Sequence, residues 1–322
     1  MSILKLVISA VLVLSALSAL AQDSRPAQIL RQIQQEQTQK VNEARAAGKT
    51  ANLAELQAEA RAKAVEATKD VDPATVPASE AYDWARLFSM AGRHHETCVL
   101  AERFLATNPE PTIKFQAQIL MLQSCNEMGE GARILEVLPQ VKAPNPALGS
   151  QLASLTVGRY VDTIAQAKGV DAAIRVLDEV ERDIPVESPD VIARRNFEAE
   201  VARRKSQGEP DYSAEEAAKR LEFFMANARN AGPAMKFSFA AKKAALLAQD
   251  KRTEEAAKVL DSFAATLPDG SPYRGRAISE KNKITLPGKA APEFAVDRTI
   301  GEYKSLDAYR GKVVLLKFFA HW

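Results

Sequence analysis

The sequence predicts a mostly α-helical protein that ends in a short segment of β character. Three observations carry this. From Ala78 to about Lys281 good helix formers dominate, and apolar residues recur three and four positions apart. Gly and Pro punctuate that stretch at intervals, as they do between short packed helices. At Pro287 the character changes, and Val313 to Phe319 is an apolar run rich in β-branched and aromatic residues.

The 322 residues suffice for two or three domains. With 46% apolar and 26% charged residues, the balance is that of a folded globular chain and argues against disorder throughout. Basic and acidic side chains nearly cancel, at a net charge of +2, and they are interspersed rather than blocked. Charge therefore gives no reason to expect nucleic acid or an anionic membrane as partner.

At the N-terminus, Lys5 precedes the apolar run Leu6 to Leu17, followed by Ser18-Ala-Leu-Ala-Gln22. A basic residue, a short apolar core and small residues at the last and third-last positions predict a secretory signal, residues 1–21, cleaved after Ala21. The competing reading is an uncleaved anchor, against which stand the shortness of the run and its Ser9 and Ser15. No cysteine sits at the cleavage point, which disfavours the lipoprotein route. No later stretch is long and apolar enough to span a bilayer, so the mature chain is expected to be soluble and exported, most simply to a periplasm. It has no membrane partner in this reading.

Residues 22–69 are rich in Gln, Ala, Glu, Lys and Arg with sparse apolar positions, and predict one or two exposed helices broken near Gly48. Asp70-Val-Asp-Pro-Ala-Thr-Val-Pro77 carries two prolines and reads as a linker. Residues 78–286 read as the main helical region. Three segments in it share a pattern: Ala101, Leu105 and Pro109; Ala173, Leu177 and Pro185; Ala256, Leu260 and Pro268. Their spacing is about twice a unit of roughly 36 to 41 residues, within the range of helix-turn-helix repeats. A small residue there lets paired helices approach, and a leucine four positions on fills the gap.

On these residues the region resembles tetratricopeptide repeats in degenerate form, since the tryptophan and tyrosine landmarks are mostly absent. An irregular helical bundle is the other reading. The resemblance implies binding across a concave helical surface. Otherwise the region carries no glycine-rich phosphate loop, no Ser-His-Asp set and no zinc spacing. His94 and His95 are adjacent and cannot face one ligand from a helix, so they read as solvated turn residues and no metal site is expected. Cys98 and Cys125, the only cysteines, are 27 residues apart and form no Cys-x-x-Cys motif. Two readings stay open for them: a disulfide, as an even pair in an oxidising compartment suggests, or two small buried hydrophobes on neighbouring helices.

The tail, residues 287–322, carries the chemistry. Val313 to Phe319 is apolar on both faces apart from Lys317, which predicts a strand within a covered, parallel-type sheet. Gly311 supplies a turn before it, and Ser305-Leu-Asp-Ala-Tyr309 predicts a one-turn helix with a Ser cap. Gly288-x-x-Ala291-Pro292-x-Phe294, then Ser305-Leu306, then Gly311-Lys312-Val-Val-Leu-Leu-x-Phe318-Phe319-Ala320-x-Trp322 closely resembles the start of the redoxin family of thioredoxin-like thiol-disulfide oxidoreductases and peroxiredoxins. The ending Phe319-Ala320-x-Trp322 is similar to the disulfide-oxidoreductase branch, in which Trp-Cys-x-x-Cys follows.

The resemblance implies the incomplete start of a thioredoxin-like α/β domain, with Phe318, Phe319, Ala320 and Trp322 flanking the site. It implies a nucleophile directly after Trp322, at a helix N-terminus that lowers its pKa, and a resolving cysteine one turn on. Protein substrates or redox partner proteins would be the partners, and no cofactor is implied. Neither cysteine is among the 322 residues, so the chain as written is expected to be inactive in dithiol exchange, with an unpartnered apolar strand. A selenocysteine codon read as stop is one economical account of an end at this place. A nonsense mutation, a frameshift and an artificial boundary are the others. The competing function is a helical-repeat protein-binding module with a vestigial redox tail.

Overall fold

Several helix starts follow local chemistry in the computed structural model, which describes residues 24–185, 187–289, 305–312 and 314. Pro111 opens one helix behind Glu110, whose carboxylate accepts from the Thr112 and Ile113 amides; Pro146 opens another behind Asn145, which accepts from Leu148 N at 3.0 Å. Pro189 follows Ser188 in the same way. A proline in the first turn loses no intrahelical bond, and a cap residue satisfies one of the orphan amides. The described residues are mostly helical and include no strand.

The chain divides into two compact units, residues 1–224 and 225–322. This division falls inside the stretch 78–286, which the sequence reads as one helical region. The described part of the first unit opens with α1 (Arg25–Ala46) and α2 (Leu53–Thr68), separated at Gly48, where φ is +66°. Neither is wholly exposed. Leu30 and Ile33 of α1 and Leu56, Ala60 and Ala64 of α2 are buried, and both helices contact α3 (Ala81–Ala91). Residues 70–77, read as a linker, are fastened to the second helix after them, α4 (His94–Leu105). Asp72 caps a 3₁₀ turn over Pro73–Thr75, and the Arg103 guanidinium of α4 donates to the carbonyls of Pro73 at 2.8 Å and Val76 at 2.7 Å. Helix breakers were legible there; a distant arginine was not.

Further on come α5 (Pro111–Glu127), α6 (Gly131–Val137), α7 (Pro146–Leu155), α8 (Val161–Lys168) and α9 (Val170–Asp183). A five-residue π turn, Thr156–Tyr160, joins α7 to α8. Helices α10 (Pro189–Ser206) and α11 (Ala214–Arg229) follow, the latter running past the division. Packing is sequential: α3 contacts α4, α4 contacts α5, and α3 also contacts α5.

One turn recurs between helices. Gly92, Gly129 and Lys251 are all left-handed, with φ of +81°, +71° and +63°. Each is followed by a residue near φ −85°, namely Arg93, Glu130 and Arg252, whose amide donates at 2.9 Å to the carbonyl five positions back. This is a Schellman closure that turns the chain sharply into the next helix. Arg93 and Arg252 each also bind the Glu three residues on, Glu96 and Glu255, at 2.8 Å.

The second unit contains α12 (Ala231–Gln249), α13 (Thr253–Ala265) and α14 (Pro272–Thr285), each contacting the other two. Its core includes Phe239, Leu246, Leu247, Ala256, Leu260 and Ala277. The Phe237 ring meets those of Phe263 and Tyr273 at centroid distances of 5.9 and 6.0 Å. Beyond it, Leu306–Tyr309 forms a 3₁₀ turn. Ser305 is extended, but its side chain makes no cap bond, a correction to the expected Ser cap. Gly311 has φ +80°, the turn conformation that glycine adopts without strain. Within the expected strand Val313–Phe319, Val314 alone is described; it is exposed and in no strand, and the rest lies outside the described residues.

Candidate functional site

Of the residues singled out from sequence, the structure brings together Cys98 and Cys125. Cys98 lies on α4 between Thr97 and Leu100, both buried, and Cys125 lies near the C-terminal end of α5 beside Leu122 and Ser124. Both thiols are buried and free, with their sulfurs 3.9 Å apart. The Cys98 thiol also reaches the Met121 carbonyl at 3.9 Å. If Cys98 gives its proton to that carbonyl, Cys125 donates to the Cys98 sulfur, and both thiols are satisfied.

Electrostatics separate the two. The hydrogen bond from Cys125 holds the Cys98 thiol below its usual range, with the Arg133 guanidinium helping and burial opposing. The same bond, reinforced by burial, pushes Cys125 far up. The hydrogen bond between the two sulfurs thus moves the two thiols in opposite directions. Arg133, on α6, is held in place by Glu102 of α4 and by Glu130, the latter at 3.7 Å.

Tyr160 completes the surroundings. It ends the π turn, is fully buried, and its hydroxyl has no hydrogen-bond partner among the described residues. Burial raises its pKa, with the Arg159 charge opposing. The hydroxyls of Ser124 and Thr156 are likewise buried without a partner among the described residues. Asn126, next to Cys125, accepts from Thr163 of α8 at 2.7 Å. Sequence reasoning missed Tyr160 and Arg133, since neither stands at a motif spacing to a cysteine. The break that Gly158 makes in the α7–α8 helical pattern was the one available signal.

Of the other predicted positions, His94 stands one turn before Cys98 on α4. Phe318, Phe319, Ala320 and Trp322 lie outside the described residues. His94 and His95 begin α4, and the described residues contain no group of three or more His, Cys, Asp or Glu placed to hold a metal ion. A cleft of about 300 Å³ opens between the Leu138–Gln140 turn, α7 and α9, with Leu152, Val180 and Ile184 on its apolar side. Lys142 and Asp183 form an ion pair at 2.8 Å along its polar side. No helix among the described residues is long and apolar enough to cross a membrane. Compared with known proteins, the chain matches no protein-family model, no curated protein and no solved structure.

Proposed function

We propose that the chain is the helical region and opening segment of an exported thioredoxin-like thiol-disulfide, or selenol-disulfide, oxidoreductase. The observation that carries this reading is the ordered series Gly288, Ala291-Pro292, Phe294, Gly311-Lys312 and Phe319-Ala320-x-Trp322, whose elements come at the family's spacing. The strand ending at Trp322 would deliver a nucleophile to a helix N-terminus, where the dipole favours the thiolate or selenolate. The helical region would present protein substrates, as tetratricopeptide-like repeats do. In support, the left-handed turns at Gly92 and Gly129 recur 37 positions apart, close to the period of such repeats. The same turns support the competing reading, a protein-binding module with a vestigial redox tail.

The nucleotide sequence past the Trp322 codon separates them. A cysteine codon or an in-frame UGA, followed by x-x-Cys, is the expected result. The protein translated through it should reduce insulin disulfides, and its Cys→Ser or Sec→Ser variant should not. A downstream frame with neither residue after Trp322 overturns the redox reading and leaves the binding module.

A further inference from the structure

We infer that Cys98 and Cys125 become joined by a disulfide when the chain folds in contact with an oxidising disulfide couple, and that this bond staples one helix pair to the next. Geometry is the first reason. Two buried sulfurs already 3.9 Å apart on contacting helices need small side-chain adjustments to reach the roughly 2.05 Å of an S–S bond. Position is the second. The turn at Gly92 joins α3 to α4, and the turn at Gly129 joins α5 to α6. A Cys98–Cys125 bond therefore crosses the junction between successive hairpins, not the inside of either. The inference is independent of the redox tail, since it concerns cysteines outside that motif.

Chemistry sets the order of events. The Cys98 thiolate attacks one sulfur of an external disulfide, RSSR, forming a mixed disulfide and releasing RS⁻, which takes up the proton Cys98 lost. Cys125 then loses its proton and attacks the Cys98 sulfur, expelling the second RS⁻, which is protonated in turn. The protein dithiol is oxidised by two electrons and RSSR is reduced to two RSH. Because both thiols are buried in the folded unit, exchange occurs before α4 and α5 close, or through their local opening.

The test uses the full chain, refolded from denaturant in excess oxidised glutathione. Thiols are counted in denaturant, and the intact mass is measured. The expected result is a fall from two thiols to none, a mass lower by two hydrogens, and a cross-linked peptide pairing Cys98 with Cys125. The thermal midpoint should drop by about 6 to 12 °C on reduction, as expected for a loop of this length in a unit of this size. The Cys98→Ala/Cys125→Ala variant should lose that dependence on reductant. Should the variant fail to fold, the wild-type thiol count and mass still decide. Two remaining thiols, glutathione adducts, covalent dimers, or a disulfide that leaves the midpoint unmoved would overturn the staple.

Discussion

Helices α4 and α5 and helices α10 and α11 are both successive pairs along the same chain, yet they are held by different physics. Eight residues of α5 are buried, among them Phe115, Ile119, Met121 and Leu122, and α4 adds Cys98, Leu100 and Ala101. In α10 Ala193 is the buried residue, and in α11 Ala228. What joins α10 to α11 is polar: Arg220 clasps Glu200 through two hydrogen bonds of 2.8 Å, while Phe197 stacks on Tyr212 at 6.1 Å. The first pair is stabilised by area removed from water, the second by a charge-assisted fork and one aromatic contact. Similar helical sequence thus covers two regimes of stability, and substitutions should separate them.

The largest effect is expected at Leu122, which is fully buried. Leu122→Ala removes transfer free energy and leaves a cavity, at a cost of about 2 to 5 kcal/mol. For a unit of this size that lowers the thermal midpoint by roughly 5 to 15 °C, readable by calorimetry or far-UV circular dichroism. A loss under 1 kcal/mol would mean the α4–α5 core collapses around the gap, and the contrast between the pairs would weaken.

A second, smaller effect follows from pH. Arg220 and the Tyr212 hydroxyl both donate to Glu200 and hold its carboxyl at about 2. An unfolded Glu titrates near 4.3, so the folded state keeps the charge after the unfolded chain has protonated. The contribution is fully present above that range and lost as pH falls from about 4.5 toward 2. Wild type and Glu200→Gln should therefore differ in midpoint at pH 6, and the gap should narrow as pH falls toward 2. A gap that stays undiminished over that range would show that the side chain acts by packing instead of charge.

How legible all this was in the sequence depends on the range of the forces involved. Helical character and the break at Gly48 were readable because caps and left-handed residues act within four or five positions. Gly131 was visible as a glycine but not as a contact. A Cβ there would strike the Thr163 carbonyl of α8, a neighbour 32 positions away that no local pattern announces. The cysteines stood in the same relation: their separation was plain, and their juxtaposition required α4 and α5 to be seen against each other. Arg103 fastening residues 73–76, and the division near Phe224, are likewise products of tertiary packing. Conversely, the resemblance to the redoxin family rests on residue order alone, and Phe318 to Trp322 lie outside the described part of the chain.

The smallest expected effect sharpens the comparison from the other side. Phe223, on α11, is 51% exposed, with the Arg220 guanidinium 4.8 Å from its ring centre and the Phe224 ring at 5.7 Å. An exposed cation–π contact contributes about 0.5 to 1 kcal/mol, and the half of the ring still in water contributes no burial. Phe223→Ser should therefore cost about 1 kcal/mol or less, a shift of a few degrees at most in the same assay. If the loss instead approached that of Leu122→Ala, the ring would have to be covered in solution by something the isolated chain does not supply. The midpoint of wild type would then rise with protein concentration if the cover is a second copy, whereas an unpartnered α11 gives a midpoint independent of concentration.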